Sequence, residues 1–257
     1  MELIIVCVAA LLASALTLFS GFGVGTLLMP VIALFFPLEV AIAMTAIVHL
    51  TNNLFKIGLL GRKAELSVLL KFGIPAVIAA FVGAGLLNWL GKMEPLYQYT
   101  VFGREFQIFA LKLVIGFLIV SFVALELSPS FSKVALPRKW LSLGGVISGF
   151  FGGLSGHQGA FRSMFLMKIG LDKEAFVATG VVIAVMVDLS RMVVYGARLS
   201  SQSSMVEWPL VIAASVSAFA GAYFGARLLK KVTIRSVQLI VSVLLIVVGV
   251  GLAMGLL

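Results

Sequence analysis

Positions 3–38 carry no charged residue, a run of 36 bounded by Glu2 and Glu39. One membrane-spanning helix needs about 20 apolar residues, so a break must fall inside this run. The sequence Ser20-Gly21-Phe22-Gly23-Val24-Gly25 supplies it. Three alternating glycines favour non-helical backbone, and Pro30 and Pro37 follow. The expected local structure is a helix, an unwound turn and a shorter returning helix, a hairpin over 2–36. Met1 to Phe19 lacks the basic leader of a signal peptide and reads as mature protein.

The rest of the chain is no less apolar. With 61% hydrophobic and 11% charged residues and a mean hydropathy of +1.18, it has far more apolar surface than one core can bury. That excludes a water-soluble globular enzyme and makes the lipid bilayer the solvent. The net charge of +9 reads as basic cytoplasmic loops rather than a nucleic-acid surface, so no nucleic-acid partner is expected. Cys7 is the single cysteine, which rules out an intrachain disulfide and a thiolate metal cluster.

The pattern predicts an all-α polytopic membrane protein of two halves, each a broken-helix hairpin plus three transmembrane helices. The first half is 1–127, with its hairpin at 2–36 and helices at about 40–60, 67–91 and 104–127. A basic cytoplasmic linker covers 128–139. The second half is 140–257, with its hairpin at 140–170 and helices at about 173–196, 207–230 and 234–257. Arg62 and Lys63, Lys133, Arg138 and Lys139, and Arg227, Lys230, Lys231 and Arg235 mark cytoplasmic loops by the positive-inside rule. Counting crossings from them leaves 140–170 to enter and return on one face, and puts both termini on the non-cytoplasmic side. The two hairpins then open to opposite faces.

A shift of 134 positions superposes Gly25 on Gly159, Ala41 on Ala175, Thr45 on Thr179 and Pro75 on Pro209, and lays Val77-Ile78-Ala79-Ala80 on Val211-Ile212-Ala213-Ala214. With one inserted residue, Asn53 and Lys56 fall on Asp188 and Arg191, a polar residue followed by a cation one turn later in each half. Opposite orientation of the halves makes this an inverted repeat, the architecture of many secondary transporters.

Such transporters hold substrate at broken helices, where uncovered amides and helix dipoles attract anions. Gly23, Val24, Gly25 and Thr26 form one break, and Gly156, His157, Gln158 and Gly159 the other. Lys56, Arg162 and Arg191 are cations inside the spans, where charge is costly without a partner or a function. Lys56 can snorkel to the cytoplasm or face substrate. Arg162 stands three residues into the returning helix, within reach of an anion at the turn. Asp188 and Arg191 can neutralise one another. Asn52, Asn53 and Gln158 suit orientation of oxygens. His49, His157 and Asp188 are candidates for proton coupling. Two separated histidines and one aspartate are too few for a metal site, and no cofactor is expected. Gly83, Gly85, Gly221 and Gly225 permit close helix contact, within the chain or across a homodimer.

The runs Gly21-Phe22-Gly23-Val24-Gly25-Thr26-Leu27-Leu28-Met29-Pro30 and Val48-His49-Leu50-Thr51-Asn52-Asn53-Leu54-Phe55-Lys56, with Phe151-Gly152-Gly153-Leu154-Ser155-Gly156-His157-Gln158-Gly159-Ala160-Phe161-Arg162, resemble the signatures of the TauE/SafE sulfite exporters, a branch of the TSUP anion permeases. The resemblance implies a transporter of the cell inner membrane that exports sulfite, an organosulfonate or another small anion, coupled to the proton gradient. The alternatives are an anion channel and a carrier of a small carboxylate. No H-E-x-x-H and no nucleophile beside a base argues for an enzyme.

Overall fold

The computed structural model describes residues 1–20, 24–128, 130, 134, 136–167, 169–202, 206–228 and 234–257. Gly21 and Gly23 of the first glycine turn, Lys133, Lys230 and Lys231 lie outside the described residues. The chain folds into helices α1 (Glu2–Ser20), α2 (Val24–Ala33), α3 (Leu38–Leu60), α4 (Leu66–Leu90), α5 (Ala110–Leu127), α6 (Leu141–Ser155), α7 (Gly159–Leu166), α8 (Lys173–Gln202), α9 (Trp208–Leu228) and α10 (Ile234–Ala253). Within α4, residues Leu69–Gly73 form a π turn just before Pro75.

Where a helix was expected from 104, the structure has a β-hairpin instead. Strands β1 (Tyr97–Val101) and β2 (Arg104–Ile108) pair antiparallel, with Tyr97 opposite Ile108 and Val101 opposite Arg104. Both turn residues, Phe102 at φ 51° and Gly103 at φ 75°, are left-handed, the tight turn that matches strand twist. Apolar and polar residues alternate through 97–101, a period a helix cannot use, so α5 begins only at Ala110.

Side chains sort by solvent. The stretches Leu38–Gly58, Leu66–Leu90 and Lys173–Gly196 are each long and apolar enough to cross a membrane. Large aliphatics face outward at matching positions of α4 and α9: Ile78, Val82, Ile212 and Val216 are each about 60% exposed. Such faces are stable against lipid, not water.

Four helix pairings organise the bundle: α1 with α9, α4 with α6, α3 with α8, and α5 with α10. In α6, Gly145, Gly149 and Gly153 recur every fourth residue on one face. A Cβ there would lie 2.2, 2.1 and 2.1 Å from the carbonyl oxygens of Phe72, Ala76 and Ala80. Only a bare backbone lets α4 lie this close. The contacts 72 to 145 and 80 to 153 make α4 and α6 parallel. Conversely, α3 and α8 run antiparallel, since His49 meets Asp188 while Lys63 pairs with Glu174. Antiparallel packing recurs in α5 and α10, where Gly116 lies against Ala253 and Val120 against Gly249.

Loop contacts gather into two ends. At one, Lys63 pairs with Glu174, Arg138 donates to Ser67 Oγ at 2.6 Å, and Leu136 N–H donates to the Met164 carbonyl. At the other, Tyr99 Oη donates to the Met254 carbonyl at 2.6 Å, clasping the hairpin to the end of α10.

Candidate functional site

Helix α6 stops at Gly156, whose φ of 82° is open to glycine at little cost, and its N–H caps the Gly152 carbonyl at 3.0 Å. The chain then turns through His157 and Gln158 into α7. The first amides of α7, like those of α2, have no acceptor within their own helix. The two helix starts meet. A Cβ on Gly25 would lie 3.6 Å from Thr45 Cγ2, 3.9 Å from the Gly156 carbonyl oxygen and 4.0 Å from His49 Cδ2. On the far side of Gly156, a Cβ would lie 2.8 Å from Arg191 Nη1.

Helices α3 and α8 cross beside this junction and supply its charge. His49 Nδ1 donates to Asp188 Oδ2 at 2.6 Å, joining the two halves of the chain. Asp188 Oδ1 is ion-paired with Arg191 Nη2 at 2.8 Å, one turn along α8. Asn53 Nδ2 donates to His49 Nε2 at 3.2 Å. The Tyr195 hydroxyl binds the Gly153 carbonyl at 2.6 Å and fixes α8 against the end of α6.

A second polar cluster lies one turn farther along α3. With its amide oxygen turned toward Lys56, Asn52 accepts from Lys56 Nζ and donates to the Ala218 carbonyl, both at 3.2 Å. Lys56 is 4% exposed and so does not snorkel. It lies near enough to Arg162 for the two to repel. Arg162, itself 9% exposed, reaches Gln158 Oε1 from Nη1 at 3.2 Å, and Ser148 Oγ donates to the Gln158 carbonyl at 3.0 Å.

The structure thus brings Gly25, Asn53, Gly156, Arg191 and Asp188 to one junction with His49, and Asn52, Lys56, Gln158 and Arg162 to its flank. Val24, Thr26, His157 and Gly159 are buried at the two helix starts. Gly23 is not among the described residues. Three residues that sequence reasoning passed over belong here as well. Thr45 is 3% exposed, and its hydroxyl oxygen is without a partner. Ser14 and Ser148, 134 positions apart, each bond a polar residue of the site, Ser14 the Asn52 side chain and Ser148 the Gln158 carbonyl. The repeat shift that matched the glycines also superposes these serines, and that was the available signal. By contrast, the groove between α4 and α6, lined by Pro75, Ile78, Val82, Val146 and Phe150, is apolar and holds no group for an anion.

Two features set the chemistry. Among the described buried residues, Lys56, Arg162 and Arg191 face a single carboxylate, Asp188. Unspent hydrogen-bonding capacity concentrates in the same place, at Thr45 Oγ1, His157 Nε2, Gln158 Nε2 and Arg191 Nε. Buried charge left uncompensated costs several kcal/mol per ion, so the arrangement asks for an anion. The described residues include no cluster of metal-ligating side chains.

The family model for the sulfite exporter TauE/SafE matches residues 6–252. The chain belongs to the TauE/SafE family. No curated protein and no solved structure matches it. As a TauE/SafE protein it is a membrane transporter and not an enzyme, and its lipid-facing aliphatics accord with that.

Proposed function

We propose that this TauE/SafE protein is a secondary active transporter that exports a small sulfur-containing anion across the cell inner membrane. The observation that carries the reading is the excess of buried cations, three against one carboxylate, at the meeting point of two helix starts. Lys56, Arg162 and Arg191 compensate the charge of the anion, and the first amides of α2 and α7 add neutral donors. Asn52, Asn53 and Gln158 orient its oxygens. The His49–Asp188 pair, which bridges α3 and α8, is the candidate proton carrier.

The helix pairings support an inverted repeat. Under the sequence shift α1 corresponds to α6, α3 to α8, α4 to α9 and α5 to α10, so the α1–α9 contact is the counterpart of the α6–α4 contact. A twofold axis in the membrane plane makes corresponding helices antiparallel, as α3 with α8 and α5 with α10 are. Rocking of one half against the other would then expose a shared site to each face in turn.

The test is thermal unfolding of the purified protein with sulfite, thiosulfate, sulfoacetate and simple carboxylates, beside Arg162→Ala. A ligand at a hundred times its Kd stabilises the native state by about 2.7 kcal/mol. The expected result is a rise in unfolding temperature with a sulfur anion that Arg162→Ala abolishes. A rise with carboxylates alone, or one that Arg162→Ala leaves intact, overturns the assignment. Accumulation against a gradient in proteoliposomes then separates a carrier from a channel.

A further inference from the structure

His157 sits in the break between α6 and α7, 4% exposed, with one ring face stacked on Phe122 of α5 at 5.0 Å and an interplanar angle of 18°. Its Nδ1 lies 3.1 Å from the Ser155 carbonyl oxygen and 3.0 Å from Ser155 Oγ. A carbonyl can only accept, and the Ser155 hydroxyl already donates to the Phe151 carbonyl at 3.2 Å. Nδ1 must therefore carry the hydrogen. In the neutral ring, Nε2 is then a bare lone pair, and it is buried without a partner. The site otherwise offers donors: the cations, the helix amides, and the unpartnered Gln158 Nε2. Among the charged groups, Arg191 from α8 is the one whose field reaches the ring, and it too can only donate. A fully ionised oxyanion has nothing to give Nε2 and would set its own lone pairs against it.

We infer that His157 Nε2 accepts a hydrogen bond from the transported anion, and that the site therefore selects the hydrogen form of a weak oxyacid, a monoanion that keeps one O–H, over anions whose oxygens are all bare. This rests on the anion-site reading above and narrows it. Hydrogen sulfite has the required donor; an alkanesulfonate of the same charge does not. The other oxygens of such an anion remain acceptors for Arg191 and the amides of α7. The selection costs a competing fully ionised anion an unmet buried acceptor, the kind of mismatch that discriminates strongly in a desolvated site.

The experiment compares binding of sulfite and methanesulfonate, small sulfur oxyanions of which only hydrogen sulfite carries an O–H, to the wild-type protein by calorimetry at a pH where hydrogen sulfite is abundant. Expected are sulfite binding at least tenfold tighter than methanesulfonate, and sulfite affinity that falls as pH rises through its second ionisation. His157→Phe keeps the stack on Phe122 and removes the acceptor, so it should bring the two affinities together; His157→Gln, which restores an acceptor, should part them again. Equal binding of both anions by the wild type, lost in Arg162→Ala, overturns this inference and leaves the anion site standing; a protonated His157 that donates from Nε2 would give that result. Binding of neither anion in an Arg162-dependent way overturns both readings.

Discussion

Asp188 is the residue on which the buried charge turns. Its two oxygens are divided between His49 of the first half and Arg191 of the second, and its side chain is wholly buried. Removing one partner from such a group leaves an uncompensated charge, at a cost of about 3 kcal/mol or more. Asp188→Asn should therefore lower the unfolding temperature in detergent markedly. Glu174→Gln, which breaks the exposed pair with Lys63, should change stability by less than about 1 kcal/mol. Equal effects from the two would mean that Arg191 and His49 find other partners. The Asp188 and Arg191 pairing was legible from their spacing of one helical turn. The His49–Asp188 bond was not, because it joins side chains 139 positions apart, and no local pattern encodes that distance. Lys56 was readable only as an alternative, since snorkelling and burial differ in which way the stem points. Its burial and its bond to Asn52 decide the matter.

Among the elements, α6 shows how little side chain a membrane helix can carry and still be placed. Its glycine face sets the backbone of α4 directly against it, and Gly83 of α4 returns the contact against the Phe150 carbonyl at 2.1 Å. Gly149→Leu would force the Ala76 carbonyl away and separate the pair, so the expected outcome is loss of the monodisperse folded species in size-exclusion chromatography. Gly85, also on α4, has nothing within 4 Å of an added Cβ. Gly85→Ala should be tolerated and should gain up to about 1 kcal/mol from helix propensity. The sequence marked Gly83 and Gly85 alike as contact residues. What separates them is register against a neighbour, which periodicity alone does not carry. Gly83 and Gly221 make their contacts within the chain, Gly221 against the Leu11 carbonyl. The hairpin over 97–108 was hidden for a different reason. It is short, lies between two strongly apolar helices, and is recognised by period-two alternation ending at Phe102-Gly103 rather than by composition.

For the molecule as a whole, the loop contacts and the charge pattern reach the same arrangement by independent routes. Arg62, Lys63, Arg138 and Lys139 fall at the end where Lys63 meets Glu174 and Arg138 meets Ser67. The hairpin and the residues after α10 fall together at the other, joined by Tyr99 and Met254. The positive-inside rule predicts that the first end is cytoplasmic. In a Cys7→Ala background, Phe102→Cys and Leu256→Cys should react with a membrane-impermeant maleimide on intact cells, and Lys139→Cys only after lysis. Labelling of Lys139→Cys alone on intact cells would invert the protein in the membrane yet keep the fold, because the contacts fix which loops share an end and not which end faces the cytoplasm. Labelling of Phe102→Cys and Leu256→Cys from opposite faces would instead break the antiparallel pairing of α5 with α10, and with it the twofold relation on which a site open to each face in turn depends.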